Sequence, residues 1–263
     1  MLSQLYLYSM STIQYCSDFH LEFPENMAYL ERHPIEPHGD ILLLAGDIVP
    51  FALLHKFDRF FDELSEKFKQ VYWLPGNHEY YCSDIKQRTG SFTEEIRKNI
   101  LLLNNQTVIN GNAKLVFSTL WANISEENKA YLKRYLSDFH VIKCGDDDYG
   151  PENFNEFHQQ SKDFITEALK QENGSNTVIL VTHHVPTLLN YPDKHKGDVL
   201  NEGFAIELFD FIADSPIDYW VYGHHHHNCD TFTIGKTKML TNQLGYVKHH
   251  EHTTFSTSAV FSV

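Results

Sequence analysis

Gly223 is followed at once by His224, His225, His226 and His227. Neutral imidazole ligates zinc, iron, manganese, nickel and copper, and short histidine tracts often mark metal sites. Alone, such a tract also fits a solvated turn, although its place inside the chain separates it from a terminal tag. Upstream, Asp18 and His20 stand two residues apart. In a strand or extended loop that spacing puts both side chains on one side. A carboxylate and an imidazole so placed suit a cation of intermediate hardness, and equally a capping aspartate beside a surface histidine. Asp47 follows Gly46, Asn77 and His78 follow Gly76, and His183 and His184 are adjacent. The shared chemistry is metal ligation by oxygen and imidazole, without thiolate.

Each cluster follows an apolar run. Ile13 to Cys16, Ile41 to Ala45, Val71 to Leu74, Val178 to Val181 and Tyr219 to Tyr222 read as buried strands. Ligand sites gather at the carboxyl ends of strands in layered α/β folds. Five strands ending in polar groups therefore point to one site, since five such coincidences are hard to assign to surface decoration. Further strands are expected at Ile100 to Leu103, Thr107 to Ile109, Lys114 to Thr119, Thr231 to Ile234, Lys238 to Leu240 and Ser258 to Val263. The Asn110-Gly111 turn predicts a hairpin. One helix is expected from about Leu53 to Phe68, on the stripe Leu53, Leu54, Phe57, Phe60, Phe61, Leu64 and Phe68. Others are expected after an N-cap at Ser125 through Leu136, from Glu152 to Gln171 before Asn173-Gly174, and from Phe204 to Ile212. The acidic run Asp146-Asp147-Asp148 lacks the ordered ligand spacing of a calcium loop and reads as solvated surface.

The 263 residues are 42% hydrophobic and 14% aromatic, enough for a full core. With no linker or repeat visible, residues 11–263 read as one domain behind an N-terminal extension of 1–10, and Met10 is a possible start. The formal net charge of −14 disfavours tight binding to nucleic acid. A phosphate substrate then needs positive charge supplied locally by metal ions. Cys16, Cys82, Cys144 and Cys229 form no close pair and read as buried apolar side chains. No secretory leader and no membrane-spanning run is recognisable, so a cytoplasmic protein is expected.

The motif series Asp18-Phe19-His20, Gly46-Asp47, Gly76-Asn77-His78-Glu79, Thr182-His183-His184 and Gly223-His224-His225-His226 resembles, in order, that of the calcineurin-like metallophosphoesterase superfamily. The resemblance runs from Ile13 almost to the C-terminus. It implies an α/β fold, a two-sheet β-sandwich flanked by helices in four layers (α/β/β/α), with a dinuclear centre. It implies that Asp18, His20 and His226 hold one metal, that Asn77, His183 and His224 hold the other, and that Asp47 bridges both. It implies attack on phosphorus by a hydroxide between the ions, with His78 and Asp47 as catalytic residues. Asn77, His78 and His184 are expected to face substrate. The ions are two divalent or trivalent transition metals: manganese, iron, zinc, nickel or cobalt. Of the adjacent pair, His183 is expected to ligate, being first past the strand. His225 and His227 are expected to turn away, and His249, His250 and His252 to lie at the surface.

Within the superfamily, protein serine/threonine phosphatases carry arginines near the second and third motifs. Here Ile48-Val49-Pro50-Phe51 and Pro75 stand instead. The chain resembles the small stand-alone phosphoesterases, which implies a small phosphoester substrate, most simply a phosphodiester. Many of those end in Asn-Pro-Arg-Gly-Tyr where this chain has Asn242-Gln243-Leu244-Gly245-Tyr246. A phosphomonoesterase of the same fold and a catalytically inactive binding or adaptor module are the alternatives.

Overall fold

The computed structural model describes residues 12–171 and 174–263. The extension over residues 1–10 and the Asn173 of the expected helix stop lie outside the described residues. In chain order the elements are β1 (Thr12–Cys16), α1 (Pro24–Arg32), β2 (Ile41–Ala45), α2 (Asp58–Lys67), β3 (Gln70–Leu74), β4 (Phe92–Arg97) and β5 (Ile100–Asn104). There follow β6 (Gln106–Asn110), β7 (Ala113–Phe117), α3 (Lys129–Tyr135), α4 (Asp138–Val141), β8 (Lys143–Cys144), β9 (Asp147–Asp148) and α5 (Pro151–Lys170). The chain ends through β10 (Thr177–Val181), α6 (Phe209–Ala213), β11 (Tyr219–Tyr222), β12 (Phe232–Ile234), β13 (Thr237–Thr241) and β14 (Val260–Ser262).

Two mixed six-stranded sheets form, ordered β14-β1-β2-β3-β5-β4 and β12-β13-β11-β10-β7-β6. The four inner strands of each sheet run parallel and both edges are antiparallel. Strand periodicity sorts the side chains into three cores. On β2, Leu42 and Leu44 face the helices over the first sheet, while Ile41, Leu43 and Ala45 face the second sheet. On β10, Ile179 and Val181 face the first sheet, while Leu180 packs outward with Ile165 of α5. The result is the expected two-sheet sandwich between helical layers.

Several elements depart from their expected bounds. The Leu53 to Phe68 stripe does pack on the outer core, but on a 3₁₀ segment, Phe51–Lys56, followed by α2. The break falls at Phe57, whose φ of −114° and ψ of 21° leave the helical region. Ser125 does not cap a helix. Its amide and hydroxyl are taken by the Glu202 carboxylate at 2.7 and 3.0 Å, and α3 starts only at Lys129. The Phe204 to Ile212 helix shortens to α6, because Ala205 bridges to Val185 and Glu207 accepts the Phe209 amide at 2.9 Å. Five elements had not been anticipated: α1, with proline in its first turn, the edge strand β4, the short α4, and the two-residue strands β8 and β9. All four cysteines are free, but Cys82 is exposed and Cys229 half-buried, so only Cys16 and Cys144 are buried as expected. Among the described residues no helix is long and apolar enough to cross a membrane.

Candidate metal centre

The parallel inner strands of both sheets end on the same side of the molecule, and the five motif loops meet there. The Asp18–His20 loop is not extended, as the spacing of two had suggested. Asp18 and His20 take left-handed backbone at φ 58° and 46°, as do Asp47 (56°), His224 (82°) and His226 (49°). Non-glycine residues visit that region rarely and at a cost of about 1–3 kcal/mol each, and such strain gathers at functional sites. Neighbouring loops hold it in place. The Asp18 and His20 amides donate to the Gly46 and Asp47 carbonyls at 2.9 Å each. The His224 amide donates to Asp18 Oδ1 at 3.0 Å, and the His226 amide to Gln243 Oε1 at 2.7 Å. Close approach explains two motif glycines. A Cβ on Gly76 would meet Asp47 Oδ1 and the His183 ring, and one on Gly223 would lie 2.6 Å from Asp18 Oδ2.

Three groups of side chains could each hold a cation: two share Asp47, and the third is His20, Glu22 and His78. Asp18, His20, Asp47 and His226 offer donor atoms within 4.8 Å of one another, and so do Asp47, His183 and His224. Asp47 Oδ2 lies 3.7 Å from His20 Nε2, and Asp47 Oδ1 lies 3.3 Å from His183 Nε2. Asn77 Oδ1 lies 3.2 Å from the same His183 nitrogen.

The hydrogen bonds on the far sides of the rings test whether this set fits cations. His183 Nδ1 donates to the Ala45 carbonyl at 2.9 Å, and His226 Nδ1 meets Glu251 Oε2 at 2.8 Å. His20 Nδ1 faces Glu22 Oε1 at 3.3 Å, and His224 Nε2 faces the Gly203 carbonyl at 3.4 Å. Each outer nitrogen thus has an acceptor and takes the N–H, the arrangement usual for metal-binding histidines. The inner nitrogens then turn lone pairs on each other: His20 Nε2 and His226 Nε2 at 2.9 Å, His183 Nε2 and His224 Nδ1 at 3.1 Å. Facing lone pairs repel unless a proton or a cation lies among them, so the donor set fits metal ions.

Without metal the site holds protons instead. Burial pushes His183 down, but the Asp47 and Asp18 carboxylates outweigh it and place it at about 9. Burial is likewise outweighed at His226 by Asp18 and Glu251, which place it at about 10. At His224, burial and then the neighbouring His184 and His183 imidazoles outweigh the Asp47 carboxylate and hold it well below the usual range. Burial raises the Asp47 carboxyl, yet His183 and His78 more than reverse this, and it lies well below the usual carboxylate range.

His78 stands beside both groups. Its amide donates to Asp47 Oδ1 at 2.9 Å, its ring stacks on Tyr81 at 4.0 Å, and Nδ1 meets Glu22 Oε1 at 2.9 Å. Its Nε2 lies 3.4 Å from the Tyr246 hydroxyl. A cleft of about 350 Å³ opens over Asp47, Asn77, His78, His224 and His226. His184 is not among its lining residues. It is fully buried between Trp121, Phe154 and His224, with no partner for either nitrogen among the described residues. The expectation that His184 faces substrate is therefore corrected: adjacent residues point apart, and this one points into the core. His225 turns from both ligand groups to Gln243 and Tyr191, and His227 is half-buried. His249 and His250 are exposed, but His252 is half-buried against Tyr29.

Sequence reasoning missed the carboxylates around the centre. Glu79 is wholly buried and accepts from the Asp47, Ile48 and Gly76 amides and the Trp73 indole. Burial, then the Asp47 charge, raises its carboxyl, and the Ile48 and Gly76 amides oppose that rise. Asp138 takes the Asn77 amide at 2.9 Å and the Tyr81 hydroxyl at 2.8 Å. Glu251 and Asp138 lie far along the chain, with no local signal. Glu22 continues the spacing of two from Asp18 and His20, which could have revealed it.

Residues 12–228 match the calcineurin-like phosphoesterase family. The chain is 30% identical over 280 residues to the "Uncharacterized protein L509" of Acanthamoeba polyphaga mimivirus, covering 97% of each. The crystal structure of a phosphopantetheinyl hydrolase from Mycobacterium tuberculosis superposes with a TM-score of 0.68 at 16% identity, covering 96% of this chain and 95% of that one. That likeness concerns the fold. With a His/Asp cluster able to bind metal where the five motif loops converge, and with a family match spanning every one of those loops, this chain belongs to the metal-dependent calcineurin-like phosphoesterases.

Proposed function

We propose that the chain is a dinuclear metal-dependent hydrolase of small phosphodiesters. The observation that carries this reading is the division of Asp47, one carboxylate oxygen turned to each imidazole group. Asp18, His20 and His226 would hold one ion, Asn77, His183 and His224 the other, and Asp47 both. Bound there, the ions would supply Lewis acidity toward the phosphate oxygens and lower the pKa of water.

The chain's own groups do the rest. His78 faces the cleft beside the ligands and is not one of them. As the new P–O bond forms from water, the old one breaks and leaves its electron pair on the departing oxygen. The His78 Nε2 proton goes to that oxygen, and the proton lost by water returns the imidazole to its starting state. Among the described residues lining the cleft there is no arginine, and Lys194 is the one lysine. A monoester dianion brings more negative charge than a diester, so this lining favours the diester.

Metal analysis of the purified protein, with rates on bis-nitrophenyl phosphate and nitrophenyl phosphate, tests the reading. The diester should lead in kcat/KM by about tenfold or more, the ratio that about 1.4 kcal/mol of transition-state binding gives. The reverse order would make it a monoesterase. Absence of bound metal together with absence of turnover would favour the binding module.

A further inference from the structure

We propose that Glu22 is a positioning residue of this reaction, holding His78 and the ligand His20 in register through one carboxylate oxygen. The inference rests on the phosphoesterase reading above and goes beyond it, because it concerns what aims the proton donor.

Glu22 Oε1 lies 2.9 Å from His78 Nδ1 and 3.3 Å from His20 Nδ1. The other oxygen, Oε2, is buried and has no hydrogen-bond partner among the described residues. Both bonds therefore fall on a single atom. The two rings it joins lie 4.4 Å apart at 75°, so their outer nitrogens converge on Glu22 while their inner nitrogens diverge. His20 Nε2 turns to the metal group, 2.9 Å from His226 Nε2, and His78 Nε2 turns to the cleft.

Stacking alone does not aim the His78 ring. Tyr81 covers one face at an interplanar angle of 23°. A stacked imidazole can turn in its own plane, or flip, without losing that contact. Partners on the ring nitrogens fix which nitrogen faces the cleft, and Glu22 on Nδ1 at 2.9 Å is closer than the Tyr246 hydroxyl on Nε2 at 3.4 Å. Proton transfer is sensitive to such placement: an error of about 1 Å in a catalytic group costs on the order of 100-fold. Sharing the oxygen with His20 adds a second effect, since any shift of the metal ligand is passed to the proton donor.

The test compares wild type, Glu22→Ala, His78→Ala and the double variant, each loaded with saturating manganese and checked for metal content. Two substrates are used: bis-nitrophenyl phosphate, whose leaving group departs without a proton, and a glycerol-type alkyl diester, whose leaving group needs one. Glu22→Ala should lower kcat on the alkyl diester about 10- to 100-fold, the range found for partners outside the metal's own ligands, and much less on the nitrophenyl diester. KM should change little. In the His78→Ala background the further loss should vanish, because Glu22 then has no proton donor left to aim. Glu22→Gln keeps the shape and an acceptor oxygen, protects against misfolding, and should retain part of the lost rate. Additive losses in the double variant, or equal losses on both substrates, would overturn the Glu22 inference alone. A wild-type protein without metal-dependent hydrolysis would overturn the phosphoesterase reading and this inference with it.

Discussion

Glu79 holds Asp47 by its backbone: Glu79 Oε2 accepts the Asp47 amide at 2.9 Å, while the Asp47 side chain accepts the His78 amide and reaches toward His20 and His183. The same carboxylate takes the Ile48 and Gly76 amides at 2.7 Å each. It thus ties the loop after β2 to the loop after β3. The left-handed turn at Asp47 persists because Glu79 and the neighbouring loops over-determine it. Removing Glu79 would strand four buried N–H donors. Glu79→Ala should destabilise the metal-free protein by about 4 kcal/mol, given about 1–3 kcal/mol for each unsatisfied buried group and some relaxation. Glu79→Gln should rescue poorly, because its amide brings a donor into a ring of donors. Urea unfolding measures both, and a loss below about 1 kcal/mol in Glu79→Ala would show that the loops stand without it.

Asp47 itself tests whether one carboxylate serves two ions. Asp47→Asn keeps the size and removes the charge. Elemental analysis should find clearly reduced occupancy of at least one ion. Turnover should fall by more than about 100-fold, beyond the range seen for partners outside the ligand shell. A variant with full metal and full turnover would show that the division of its oxygens has no functional meaning.

His183 and His184 set a candidate ligand beside a core residue. His183→Ala should lose metal. His184 has two buried ring nitrogens without partners among the described residues, so its polarity contributes nothing there. His184→Leu, of similar volume, should keep metal and turnover and should shift stability by less than about 1.5 kcal/mol in either direction. Metal loss in the leucine variant would mean that its ring supports His224 in a way that packing alone does not replace.

Much of this was readable in the chain, for physical reasons that also explain the gaps. The Ile41 to Ala45 run is apolar at every position because β2 is covered on both faces. The strand-end glycines mark where loops approach within contact distance. By contrast, β4 carries Glu94, Glu95 and Arg97 on an exposed edge, and such charges hide a strand while guarding it from further pairing. The 3₁₀ break at Phe57 was invisible because the same apolar stripe serves both segments. The residues that converge at the candidate centre were legible, but what holds them was mostly not. Asp138 and Glu251 reach Asn77 and His226 across 61 and 25 residues, and nothing local to either carboxylate announces a partner.

The protons held by the metal-free centre give the last prediction. His183 at about 9 and His226 at about 10 both lie above their ordinary 6.5. A raised folded-state value means that the folded protein binds the proton more tightly than the unfolded chain does. That contribution to stability is fully present below about 6.5 and is lost as pH rises through 9 to 10. The metal-free protein should therefore lose stability over that alkaline window, where the metal-loaded protein should not. A ligand nitrogen must be free of its proton, so a cation binding at pH 7 has to displace protons from both rings. Loading should release up to two protons from this pair, and apparent affinity should rise with pH until about 9 to 10. Calorimetric titration with manganese in buffers of different ionisation enthalpy counts the protons directly. Release of none at pH 7 would mean that the inner nitrogens are already free, and that the ion pairs to Asp47 and Asp18 do not form in the metal-free protein.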